Sequence, residues 1–100
     1  MIQSGSRLQS QVCATQVIVV KAAEGRAGLR CGGAVMVALD ATKDGELTLD
    51  PALSAGTLIG KRYIDDTGCE VLVTKAGEGT LTLGATPLLL KEAKPLPASD

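Results

Sequence analysis

A nine-residue stretch recurs in this 100-residue chain with six of its nine positions identical, and no other feature limits its folding more. Val17-Ile18-Val19-Val20-Lys21-Ala22-Ala23-Glu24-Gly25 aligns without a gap to Val71-Leu72-Val73-Thr74-Lys75-Ala76-Gly77-Glu78-Gly79. Both copies run on through a leucine, Leu29 or Leu81, into small residues: Cys31-Gly32-Gly33-Ala34 in the first and Leu83-Gly84-Ala85-Thr86 in the second. Apolar residues then resume, Val35-Met36-Val37 and Pro87-Leu88-Leu89. A β-branched run of this length beside a polar, glycine-containing stretch is too short for a helix and reads as a strand. A unit of three or four short strands cannot bury its apolar face alone, so the two units must share one core. The expectation is a single domain over 1–100, with unit 1 at about 8–40, a connecting hairpin and turn at about 41–61, and unit 2 at about 62–92. The remaining 93–100, rich in Pro and Ala, has the composition of a flexible tail.

Further strand signals fall at 35–39, 46–49, 57–64, 69–74, 79–83 and 86–91, separated by turn residues at short, even intervals. The chain therefore reads as all-β, a small meander or barrel-like domain. Only Asp50-Pro51-Ala52-Leu53-Ser54-Ala55 has helical character, with Asp50 as N-cap and Pro51 at the first helical position, and Gly56 closes it after one turn. A three-residue loop at Lys43-Asp44-Gly45 pairs Ala41 with Leu47 and Leu39 with Leu49, gathering all four on one face. A two-residue loop scatters them, so the apolar pattern selects the longer hairpin, with Gly45 in its left-handed position. A second hairpin is expected across Asp65-Asp66-Thr67-Gly68.

With one aromatic residue, Tyr63, the core must be built from Leu, Val, Ile and Ala. Ten basic residues against eleven acidic ones exclude a general nucleic-acid coat or a polybasic membrane binder, since both need surplus Lys and Arg. The absence of histidine removes Ser-His and Cys-His nucleophile pairs, His-ligated metals and the usual neutral-pH general base. No convincing catalytic constellation remains, and the expected protein is not an enzyme. No apolar run approaches the roughly 18 residues needed to span a bilayer. The N-terminal residues lack the apolar core of a signal peptide, and three cysteines leave at least one unpaired, both pointing to a reducing cytoplasm.

Cys13 lies just before a strand, and Cys31 ends one and is followed by two glycines. Paired loops of this kind hold iron or zinc in small β proteins. The stretch Ser10-Gln11-Val12-Cys13-Ala14, the Val/Ile strand, the Gly25-to-Gly28 turn, Leu29-Arg30-Cys31-Gly32-Gly33 and Met36 resembles the desulforedoxin family, the rubredoxin-like iron module also found at the front of desulfoferrodoxins. That family's pattern is C-x-x-C-G, an apolar strand, a Gly-rich turn, Leu-x-Cys-Cys-Gly and a Met three residues on. The resemblance implies a four-cysteine iron centre, yet Ser10 stands for the first cysteine and Gly32 for the fourth, leaving Cys13 and Cys31. Three readings stay open: an iron or zinc ion on Cys13 and Cys31, within one chain or across a dimer interface; a redox-active or disulfide-forming thiol; or a scaffold without cofactor whose cysteines pack as small hydrophobes. The superoxide reduction of desulfoferrodoxins uses a histidine-ligated second iron and is excluded here. Cys69 aligns with Thr15, not Cys13, and shares a face with Val71 and Val73, so it belongs in the core.

Other motifs dissolve on inspection. Asp40-Ala41-Thr42-Lys43-Asp44-Gly45 begins like an EF-hand loop, but Thr42 occupies position three and Pro51 the position of the bidentate Glu. Asp65 and Asp66 are turn residues pointing apart, and Gly77-Glu78-Gly79 lacks the strand-to-helix setting of a phosphate loop. Lys61-Arg62-Tyr63 reads as an exposed strand face. Val17–20 and Leu88–90 are apolar at consecutive positions, which covers both sheet faces, and leaving such side chains wet forgoes several kcal/mol at about 25 cal/mol per Å². Val17, Val19, Leu88 and Leu90 are therefore expected at a subunit interface of a homo-oligomer. The leading functional expectation is a non-enzymatic assembly or accessory protein, acting on itself or on a partner enzyme; the alternative is a small iron or zinc protein.

Overall fold

A computed structural model describes residues 4–22, 28–43, 45–65, 68–84 and 86–91. The tail at 93–100, most of the glycine-containing turn at 24–27, and Asp44, Asp66 and Thr67 of the two hairpin turns lie outside the described residues.

The chain is all-β. Among the described residues ten short strands form: β1 (Arg7–Gln9), β2 (Gln16–Lys21), β3 (Leu29–Cys31), β4 (Ala34–Val35), β5 (Val37–Ala38), β6 (Arg62–Ile64), β7 (Glu70–Lys75), β8 (Leu81–Leu83), β9 (Thr86–Pro87) and β10 (Leu89–Leu90). They make two antiparallel sheets, one ordered β10-β6-β7-β2-β1-β5 and the other β4-β3-β8-β9. Each order is symmetric about its centre: β1–β5 take the places in one half that β6–β10 take in the other. The registers agree. Arg7 faces Ile18 as Arg62 faces Leu72, and Cys31 faces Ala34 as Leu83 faces Thr86.

The sheets stay open and do not close into a barrel. The cause lies at Met36 and Leu88. Val35 pairs with Arg30 in the smaller sheet, and two residues later Val37 pairs with Gln9 in the larger one. The chain thus leaves one layer for the other at Met36, whose amide donates to the Leu29 carbonyl at 2.9 Å; Leu88 repeats the step with Leu81 at 2.9 Å. Both crossing side chains turn inward. Between the layers lies one apolar cluster of Val17, Val19, Val71 and Val73 from β2 and β7, Leu29, Cys31, Leu81 and Leu83 from β3 and β8, and Met36, Leu88 and Cys69.

This core corrects the expected subunit interface. Val17, Val19 and Leu88 are 1%, 0% and 6% exposed, and Leu90 is half-buried. Val17, Val19 and Leu88 face a second layer of the same chain, which a hundred residues suffice to build because the chain passes from one sheet into the other at Met36 and at Leu88. Each fully buried Val or Leu contributes about 1.5–3 kcal/mol. The exposed apolar side chains lie elsewhere, Leu58, Ile59 and Leu89 foremost.

The connector also differs from expectation. Residues 45–50 form no strand, and Ala41 does not pair with Leu47; its amide turns back to the Ala38 carbonyl at 3.0 Å. β5 ends at Ala38, and Gln9 Nε2 donates to the carbonyls of Ala38 and Leu39 at 3.2 Å and of Ala41 at 3.3 Å, acceptors that a hairpin ladder would need; Leu39 and Leu47 stay exposed. The segment runs instead across the cysteine-bearing end of the molecule, where the Asp50 amide donates to the Gly32 carbonyl at 2.9 Å. One 3-10 turn, Pro51–Leu53, follows Asp50, whose Oδ1 accepts from the Ala52 amide at 2.9 Å. The expected strand at 57–64 is reduced to β6, because a turn from Leu58 to Lys61 with Gly60 at φ +77° interrupts it. No helix among the described residues is long and apolar enough to cross a membrane.

On β7, buried Glu70 accepts from Lys91 Nζ and Arg62 Nη1, both at 3.1 Å. The Lys91 hydrogen bond, with help from Arg62, holds this carboxyl below its usual range despite burial. A depressed folded-state value adds stability above the unfolded carboxyl's range, and that stability is lost as the pH falls through the folded value. Glu70→Gln is therefore expected to cost about 1–2 kcal/mol at pH 7. The gap between the urea midpoints of the two proteins should be full at pH 7 and should narrow only once the pH falls below the ordinary carboxyl range.

Candidate functional site

The loop between β1 and β2 is shaped by hydroxyls. The Ser10 amide donates to the Thr15 carbonyl at 2.8 Å, closing the loop, and fully buried Ser10 Oγ accepts from the amides of Val12 and Cys13, both at 3.1 Å. The loop delivers half-buried Cys13 to the end of β3, where Cys31 is fully buried. Their sulfurs stand 3.7 Å apart. Gly32 then turns the chain at φ +65°, and its amide donates to the Thr80 carbonyl at 3.0 Å.

Three further groups surround Cys13 Sγ. Ser10 Oγ and Thr15 Oγ1 each lie at 3.3 Å, and the Gly79 amide donates to the sulfur at 3.3 Å. The protonated Cys13 thiol donates towards these hydroxyl oxygens, and once Cys13 ionises the same hydroxyls are placed to donate to the thiolate. Thr15 Oγ1 meets Thr57 Oγ1 at 3.2 Å, and Thr57 Oγ1 accepts from the Gly77 amide at 3.0 Å, so a hydroxyl chain anchors the second donor. Glycine is needed at both positions for close approach. A Cβ on Gly79 would fall 2.8 Å from Cys31 Sγ and from the Gly32 amide nitrogen, and one on Gly77 would overlap Thr15 N and Oγ1.

The two thiols are driven apart in acidity. Burial pushes Cys13 up, but hydrogen bonds from Ser10, Thr15 and Gly79 outweigh it and bring the thiol down to about 7. Burial dominates at Cys31 and, with a smaller contribution from the neighbouring Cys13 charge, pushes it up to about 11. A half-exposed thiol poised to ionise thus touches a buried one that stays protonated.

The expected pair of Cys13 and Cys31 is brought together, with Ser10 beside it. The donor set does not suit a resident iron or zinc ion. Two thiolates about 2.3 Å from a tetrahedral ion lie about 3.8 Å apart, so the sulfurs alone could hold one. The remaining oxygens are neutral hydroxyls that bind such metals weakly, and those of Ser10 are already engaged by amides. Among the described residues no group of three or more Cys, His, Asp or Glu side chains gathers here or elsewhere. A four-sulfur centre shared across a dimer is equally unsuited, because Cys31 Sγ is enclosed within its own chain.

Thr15, Thr57, Gly77 and Gly79 were not legible as site residues. Thr57 stands 42 positions from Thr15 and Gly79 stands 66 from Cys13, so only the fold unites them. Cys69 lies in the core, at the place in the second half that Thr15 holds in the first: its carbonyl accepts from the Asp65 amide at 3.1 Å. Asp65 Oδ1 also accepts from the Cys69 amide at 3.1 Å, a turn-forming role. Tyr63 packs inward and its hydroxyl accepts from the Leu58 amide at 3.0 Å, while Arg62 engages Glu70, so no basic-aromatic platform forms there. Comparisons with protein families, curated proteins and solved structures give no match for this chain.

Proposed function

We propose that this chain is a non-enzymatic accessory module of the cytosol whose working part is a Cys13–Cys31 dithiol that exchanges with disulfides. The observation that carries the reading is the 3.7 Å approach of a hydrogen-bonded, half-exposed thiol to a buried one. Cys13 thiolate attacks one sulfur of a disulfide R–S–S–R; that bond breaks and one R–S⁻ leaves, taking a proton from water. Cys31 then attacks Cys13 Sγ while its proton passes to the departing R–S⁻, forming the intrachain disulfide and releasing the second thiol. Two electrons pass from the dithiol to the disulfide. The desulforedoxin-like arrangement of the first half supports this reading as a scaffold, with Ser10 serving as hydrogen-bond donor to sulfur in place of a ligand.

The test is the pH dependence of alkylation. Cys13 in the reduced protein should react with iodoacetamide along a curve centred at about 7. Ser10→Ala should move that midpoint upward, towards an ordinary thiol, while Cys31 and Cys69 stay unlabelled until the protein is unfolded. Excess disulfide should then yield protein lighter by two hydrogens, with the new bond mapped to Cys13 and Cys31. A Cys13 that labels like a free thiol and yields no such bond rejects the reading.

A further inference from the structure

An open groove lies beside Cys13, lined by Val12, Ala14, Ala76, Gly77 and Glu78 together with the cysteine itself. The small side chains of Ala14, Ala76 and Gly77 let a partner approach the backbone, and Val12 supplies an apolar wall for methylene groups. Glu78 is exposed and is the one charged side chain in this lining. It directly precedes Gly79, whose amide donates to Cys13 Sγ, so a carboxylate stands at the approach to the attacking sulfur.

Building on the dithiol reading, we propose that Glu78 makes the site selective by charge, favouring compact disulfides that carry an ammonium group close to sulfur over neutral ones and rejecting those that carry a carboxylate. The argument is electrostatic. A charge on the second or third carbon from the attacked sulfur comes within the roughly 10 Å over which exposed charges interact at ordinary salt. A groove bearing one sign of charge raises the local concentration of opposite charge and repels its own. The chemistry of exchange is unchanged; only the encounter differs.

The experiment compares three disulfides of similar length with the reduced full chain: cystamine, hydroxyethyl disulfide and dithiodipropionate. Each rate is divided by the rate of the same reagent with N-acetylcysteine amide, which removes intrinsic reactivity. At low salt the normalised rates should fall in the order cationic, neutral, anionic, with about a tenfold span from first to last, and high salt should compress it. Glu78→Gln should flatten the series and Glu78→Lys invert it; the side chain is exposed, so both variants keep the fold, as circular dichroism would confirm. Equal normalised rates in the unaltered chain, or an order that survives Glu78→Gln, overturn the assignment while leaving the dithiol standing. Failure of all three reagents, with Cys13 still reactive after unfolding, overturns the dithiol reading and this inference with it.

Discussion

Cys31→Ser is expected to stop disulfide exchange halfway. Cys13 in this variant keeps its Ser10, Thr15 and Gly79 partners, so attack on hydroxyethyl disulfide proceeds and one thiol departs. The second step needs a sulfur nucleophile within reach, and a serine hydroxyl does not ionise at any accessible pH. The mixed disulfide on Cys13 should accumulate to one adduct per chain and release one thiol. The unaltered protein should release two and retain none, because its Cys31 lies 3.7 Å away. Intact-mass analysis with a colorimetric thiol count reads both quantities in one sample. A stable adduct on the unaltered protein would show that the second sulfur never completes the exchange.

Gly77→Ala is expected to damage fold and site together. Its methyl carbon would overlap Thr15 N and Oγ1 and sit 3.0 Å from the Ala14 amide nitrogen. Two of these three atoms are backbone, held in a loop that the Ser10–Thr15 hydrogen bond closes, so no flexible side chain can swing aside. Overpacking of this kind costs about 1–3 kcal/mol or more. That is a large share of the roughly 5–15 kcal/mol that keeps a small domain folded. The same displacement moves Thr15 off Cys13 Sγ and strains the Thr57–Gly77 link. The urea midpoint should therefore drop, and the alkylation midpoint of Cys13 should rise in whatever fraction remains folded. A variant with unchanged stability and unchanged thiol acidity would contradict the packing described here.

Much of the architecture was readable because it is local. The β-branched runs at 17–20 and 71–74 announce β2 and β7, and Asp50-Pro51 announces the 3-10 turn at Pro51–Leu53, since a cap and a fixed φ act within three residues. The pairing of Cys13 with Cys31 was readable from a spacing that places both at strand ends. Two misreadings share one cause, which is competition between distant partners. The hairpin at 39–49 satisfied the apolar pattern, but the chain turns at 38–41 and Gln9, 30 positions away from Leu39, takes up the carbonyls a hairpin ladder would use. Val17, Val19 and Leu88 looked surplus to a thin sheet, yet the switch of layers at Met36 and Leu88 gives them a second wall. The hydroxyls and glycines around the sulfur went unread for a related reason. Serine, threonine and glycine announce turns in any sequence, and their chemistry here arises only when loops far apart in the chain meet.

The symmetric strand order also sets up a division of labour between twins. At the place of Cys31 the second half carries Leu83, and at the place of Thr15 it carries Cys69, sealed in the interior. One half holds the Cys13–Cys31 pair and its counterpart holds none, though both share the same strand order. The second half thereby acts as a mould for the first, lending the cysteine pair Gly77 and Gly79 from the strand-to-strand link it contributes. Such a molecule can change its chemistry by a few side chains on one side while the other keeps the pattern of the fold.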